Sequence, residues 1–277
     1  MKHYAFRILN VFAREDRLSG NPLCVFENGE GLDEAQMQAI ARQFNLSETT
    51  FVLPSTSANA RVRIFTPSHE MPFAGHPTLG TAHVVRAVQG GDALTLEMKA
   101  GIIPVNARGD GWTLRANAPR WREVVEPRAQ LAALLGLDPG DIAERPLWVS
   151  TGREQLLVPL TSEDAVRRVR PAVEAFSVLQ SEDGPGRVYV FADSGSAVLA
   201  RYFSQSGAAV LEDAATGSAC ANLGGWFIAT QPGADVERTI SQGEAVQRPS
   251  TLQLCVKEGA IHVGGRVIEL GRGSIGL

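Results

Sequence analysis

The chain has 277 residues, with 26 Lys plus Arg against 30 Asp plus Glu and a formal net charge of −4 at pH 7. Its 44% hydrophobic and 20% charged residues are those of a globular protein and exclude a disordered one, while the length predicts two domains of roughly 100–150 residues. Acidic balance and scattered cations give no attractive field for phosphate backbones, which argues against nucleic acid as a partner.

The first residues, Met1–Ile8, alternate like a strand and lack the apolar core and cleavage site of a signal peptide. A strand over Arg7–Phe12 leads to turn chemistry at Ser19-Gly20-Asn21-Pro22 and then to the apolar run Leu23–Phe26. From Asp33 to Phe44, Met37, Ile40, Ala41 and Phe44 recur at helical spacing and predict one buried stripe. Strands are predicted at Thr49–Leu53 and Ala60–Phe65, followed by a helix from Pro77 to Val88 whose small, apolar sequence reads as enclosed on all sides. Short strands follow at Leu94–Met98, Ile102–Ala107 and Trp112–Ala116.

The second half repeats this order. Arg128–Leu137 is an amphipathic helix, and Thr151–Gln155 turns into an apolar strand at Leu156–Leu160. Helical segments at Ser162–Val169 and Ala172–Leu179 precede strands at Arg187–Ala192 and Val198–Phe203. The basic run Arg167-Arg168-Val169-Arg170 lies beside Glu163 and Asp164 and reads as a solvated helix face. A second small-residue helix spans Gly217–Ala229, and strands at Thr251–Val256, Ala260–Val263 and Arg266–Leu270 close the chain. The class is therefore α+β, with two β-rich domains of similar topology, each wrapping strands around a central helix. The boundary is placed in the proline- and charge-rich Ala118–Pro127, giving domains 1–122 and 123–277, with the last strand free to cross back to the first. No run approaches the ~18 apolar residues of a membrane span. Cys24, Cys220 and Cys255 are odd in number and show no CxxC spacing, which fits a cytoplasmic protein with neither disulfides nor zinc.

Each central helix is entered through a glycine-bearing turn, Pro72–Gly80 and Glu212–Cys220. Glycine permits positive φ and close approach, and a helix start offers unpaired N–H groups and positive dipole, so the two turns read as paired anion sites. His76 can exchange protons at cellular pH or simply cap its turn. Asp213 can serve a ligand or the helix dipole, and Thr216 and Ser218 have the chemistry of caps. Glu48 stands at a helix-to-strand junction between apolar segments, where a partly buried acid makes a useful base and an exposed one is a loop residue. Cys220, inside its helix without a basic partner, reads as a buried small hydrophobe. No second histidine stands beside a nucleophile, so a hydrolase triad is not indicated, and neither turn has P-loop or dinucleotide spacing.

Together, Gly20-Asn21-Pro22, Asn45–Phe51, Arg63–Pro67, Pro72–Gly80, Glu212–Ala219, and Gln242-Gly243 with Arg248-Pro249-Ser250 resemble, in order, the motifs of the phenazine-biosynthesis PhzF-like family. The resemblance implies the diaminopimelate-epimerase fold, an active site in the cleft between two pseudo-equivalent domains, a homodimer and no cofactor or metal. It implies isomerisation of trans-2,3-dihydro-3-hydroxyanthranilate or a similar small carboxylated substrate, with Glu48 as the acid/base that moves a proton between carbons. His76 and Asp213 would assist, and Gly75, Gly217 and Ser218 would bind the substrate. Racemases of the same fold that use paired cysteines carry them where this chain has Ala74 and Ala215, so two-thiol chemistry is not expected. Ala214-Ala215 and Gln247 depart from the family's usual Pro-Ala and glycine. The alternative is a carboxylate-binding or regulatory protein that keeps the two turns without turnover.

Overall fold

A computed structural model describes all residues, 1–277. They form two compact units, Met1–Arg115 with Gly264–Leu277 and Ala116–Val263. The division falls at residues 115/116, ahead of the 122/123 boundary drawn from composition, and the segment Gly264–Leu277 belongs with the N-terminal unit rather than the C-terminal one.

The first unit runs β1 (His3–Val11), β2 (Asn21–Phe26), α1 (Glu34–Phe44), β3 (Glu48–Leu53), β4 (Ala60–Phe65), β5 (Glu70–Met71), α2 (Gly75–Gln89), β6 (Ala93–Met98), β7 (Gly101–Arg108) and β8 (Gly111–Arg115). Antiparallel β1–β2 is followed by parallel β2–β3, antiparallel β3–β4, parallel β4–β6 and antiparallel β6–β7–β8. α1 starts in a capping box between Asp33 and Gln36 and ends at Asn45 in the left-handed region, φ 51°. Its Met37, Ile40 and Ala41 are buried against Phe26, Phe51 and Phe65. α2 is the enclosed helix: His76 through Ala82 are all buried. Packing is close enough that a Cβ on Gly80 would stand 2.4 Å from Leu23 Cδ2 and 2.9 Å from Val11 Cγ2. Glycine is there because the helix lies directly on β1 and β2.

The second unit runs β9 (Arg120–Glu123), α3 (Arg128–Leu135), β10 (Leu147–Ser150), β11 (Glu154–Pro159), α4 (Glu163–Arg168), α5 (Val173–Ser177), β12 (Gln180–Ser181), β13 (Gly184–Pro185), β14 (Arg187–Asp193), β15 (Ala197–Ser206), β16 (Ala209–Asp213), α6 (Gly217–Thr230), β17 (Val236–Gln242) and β18 (Ser250–Lys257). The pairing sense is that of the first unit: antiparallel β10–β11, parallel β11–β14, antiparallel β14–β15, parallel β15–β17, antiparallel β17–β18. The short hairpin β15–β16 matches β4–β5, each leading into the glycine turn. α6 repeats the close packing of α2, since Cβ atoms on Gly224 and Gly225 would stand 2.8 Å from Ile261, Pro119 and Val149 side chains. Leu131, Leu135, Val166 and Phe176 of α3, α4 and α5 bury their apolar faces against Trp148, Leu156, Val158 and Val190.

The final strand, β19 (Ala260–Gly276), is continuous where the sequence predicted two strands. Residues 260–263 belong to the second unit and the rest to the first. The returning part pairs antiparallel with β1, from His3↔Gly276 to Val11↔Val267, and also with β8. It thereby closes β1, β2, β3, β4, β6, β7 and β8 into an eight-stranded barrel around α2. The segment read as a linker, Ala118–Pro127, contains β9, which pairs antiparallel with β10.

Candidate active site

Glu48 opens β3, placed there by the left-handed Asn45 that ends α1 and reverses the chain. Parallel pairing sets it beside Leu23 of β2. His76 is the second residue of α2 and Pro77 the third, not the first as predicted. The N-cap is Ala74, which has no side chain to cap with, so His76 is not the cap of its turn. Its imidazole is instead directed at Glu48: His76 Nδ1 lies 3.0 Å from Glu48 Oε2, with side chains 6% and 17% exposed. The approach is not aligned as a hydrogen bond, and both Glu48 Oε2 and His76 Nε2 are buried without a hydrogen-bond partner. Two of the three acid/base candidates are thus brought together by one unit.

The second unit holds Asp213, Gly217 and Ser218 around the start of α6. Thr216 is the N-cap residue but makes no side-chain cap; its hydroxyl donates to Asp213 Oδ2 at 2.6 Å. The direction of that bond follows from Gln242. Its Oε1 accepts from the Thr216 backbone N–H at 3.3 Å, leaving Nε2 to donate to Asp213 O at 3.0 Å and Thr216 Oγ1 at 3.1 Å. Gly243, at φ +85°, sits where a Cβ would be 2.2 Å from Arg248 O and 2.5 Å from Ala214 O, so the Gln242-Gly243 pair is what lets this loop close on the turn. The neighbouring Glu212 is engaged by a cation instead. Arg201 binds it through Nε at 3.0 Å and Nη2 at 2.7 Å, while also donating to Val169 O at 2.9 Å. Gln155 Nε2 donates to Ser218 Oγ at 3.0 Å.

Neither Gly75 nor Gly217 takes positive φ; both are the first residues of their helices. The sequence argument from left-handed backbone therefore fails at these two positions, and the lack of a side chain beside the helix-start N–H groups is what remains of it. Burial pushes the Cys220 thiol well above its usual range, so it behaves as the core residue it was read to be. Gln155 escaped the search for acid/base residues because amides do not titrate, and Thr216 was read as a cap rather than as the partner of Asp213; the signal for Gln155 was a polar residue entering a wholly buried strand.

A profile of the phenazine biosynthesis-like protein family, PhzC-PhzF, matches residues 9–271. The chain belongs to the PhzF-like family. An uncharacterized isomerase of Pasteurella multocida is 40% identical to it over 279 aligned positions, covering 98% of this chain and 94% of the relative. The trans-2,3-dihydro-3-hydroxyanthranilate isomerase of Pseudomonas aeruginosa is 39% identical over 228, covering 79% and 78%. A PhzF-family crystal structure from Bacillus anthracis superposes with a TM-score of 0.87 at 26% identity over 100% of both chains. This PhzF-like protein is an isomerase with a two-unit α+β fold, as its sequence predicted, which favours the catalytic expectation over a binding protein without turnover.

Proposed function

We propose that the protein is a cofactor-independent isomerase that moves a proton between two carbons of a small carboxylated substrate, with Glu48 as the acid/base. The observation that carries this is the buried Glu48–His76 pair, 3.0 Å apart, with Glu48 Oε2 and His76 Nε2 both lacking hydrogen-bond partners. Glu48 takes the proton from carbon, the electron pair delocalises into the substrate's unsaturated system, and the same carboxyl, after exchanging its proton with solvent, delivers a proton to a second carbon. No electron or group leaves, so the reaction needs no co-reactant. His76 supports Glu48 and exchanges protons with the substrate's heteroatoms. Asp213, kept as a hydrogen-bond acceptor by the Thr216 hydroxyl, orients the substrate. The N–H groups at Gly75 and Gly217 and the Ser218 hydroxyl hold its carboxylate and the negative charge that develops as the C–H bond opens.

The name of the Pseudomonas aeruginosa relative points to trans-2,3-dihydro-3-hydroxyanthranilate as the substrate. Proton NMR of this compound with the protein in D2O tests the assignment: the substrate signals should decay into those of an isomer carrying deuterium at the newly protonated carbon. Persistence of the substrate at high enzyme concentration would refute the choice of substrate.

A further inference from the structure

We propose that Gln155 is a positioning residue: its side-chain amide fixes the Ser218 hydroxyl as a hydrogen-bond donor for the substrate's carboxylate. This rests on the reading of Ser218 as substrate-binding. The direction of every bond in the chain that ends on Ser218 can be traced from one group that has no choice. The Thr151 backbone N–H donates to Asn222 Oδ1 at 2.8 Å, and the Thr151 hydroxyl reaches the same atom at 2.8 Å. A backbone N–H only donates, so that end of Asn222 is its oxygen. Its nitrogen then faces Val149 O, Arg153 O and Gln155 Oε1, each at 2.9 Å. With its oxygen held there, Gln155 presents Nε2 to Ser218 Oγ at 3.0 Å.

A hydroxyl that accepts on this side keeps its one hydrogen for an acceptor elsewhere. Turning the Gln155 amide over would set its NH2 against the NH2 of Asn222, and both side chains are fully buried, so no water compensates. Ser218 itself is half-buried, at the second position of α6, where the helix dipole favours an anion. An unrestrained serine would divide its time between donating and accepting. Here the polarity is set before the substrate arrives, and the ordering cost is removed from binding.

Because the effect passes through Ser218, it is read by a double-mutant cycle on binding of 3-hydroxyanthranilate, the aromatic counterpart of the proposed substrate, by titration calorimetry. Gln155→Leu and Ser218→Ala should each weaken binding about fivefold to tenfold, and the double variant should match Ser218→Ala within about twofold. In turnover, Gln155→Leu should raise KM by the same factor with kcat nearly unchanged, a split that a general loss of structure would not give. Should the Leu variant fail to fold, Gln155→Glu retains the acceptor for Asn222 but accepts where glutamine donates, and its effect on binding should shrink at least about threefold in the Ser218→Ala background. Multiplying losses in the double variant, a fall in kcat with binding intact, or no binding of the probe by the wild type would each overturn the proposal. A wild type that binds the probe without isomerising dihydrohydroxyanthranilate refutes the functional reading instead, and the binding cycle still decides the role of Gln155.

Discussion

A buried polar atom left without a partner costs about 1–3 kcal/mol; His76 Nε2 is such an atom, and Glu48 Oε2 has only the unaligned His76 Nδ1 at 3.0 Å. A substrate that bonds to this pair would recover that cost. Asp213 is treated differently, its Oδ2 accepting the Thr216 hydroxyl at 2.6 Å. Thr216→Val preserves shape and removes that donor, so kcat/KM should fall about tenfold or more, in line with a lost bond to a charged group. Steady-state kinetics with thermal melting checks this, and an unchanged kcat/KM in a normally folded variant would contradict the role given to Thr216. Glu48 and His76 stood out in the sequence as candidates because they are titratable residues at the edges of apolar segments. The amides of Gln155, Asn222 and Gln242 did not, since their value lies in which atom faces which neighbour, and no spacing encodes that.

The two central helices were legible as enclosed because most residues of α2 and α6 are small or apolar, although the last turn of α2 is exposed. β9 was missed for the opposite reason. Trp121 is 46% exposed, and the residue that does the packing is charged: Arg122 lies over the Trp148 ring at 4.7 Å and binds Glu154 at 2.8 Å. Arg122 thus joins β9 to the buried start of β11 through a contact that hydrophobic periodicity does not register. Burial alone would raise Glu154, but the Arg122 guanidinium and the Glu182 N–H outweigh it and hold the carboxyl below its usual value. A depressed carboxyl contributes stability that is present above its unfolded value, about 4.3, and lost as pH falls through the folded one. Arg122→Met should therefore cost about 2 kcal/mol at neutral pH, less than a fully buried pair because water reaches Arg122, and progressively less in acid. Urea titrations at pH 7 and pH 3.5 measure both; an equal cost at the two pH values would contradict the ionic part.

The repeated pairing order of the two units was legible from the repeated order of predicted elements, but the path of β19 was not. Nothing in Ala260–Val263 or Arg266–Leu270 marks the point where one strand leaves its own unit and closes the other's barrel. Without residues 264–277, β1 would expose an unpaired edge along its length, so deletion of that segment should abolish cooperative unfolding or yield insoluble protein. A truncated chain melting as the wild type does would contradict the closure. The PhzF-like fold places many polar groups, yet the proposed chemistry turns on a single carboxyl, and isotope exchange reads it directly. With trans-2,3-dihydro-3-hydroxyanthranilate in D2O, the wild type should incorporate solvent deuterium at carbon, while Glu48→Gln, isosteric but unable to accept the proton, should slow that incorporation by about 10²–10⁴-fold and still bind 3-hydroxyanthranilate. Deuterium entering at the wild-type rate in Glu48→Gln would contradict Glu48 as the acid/base.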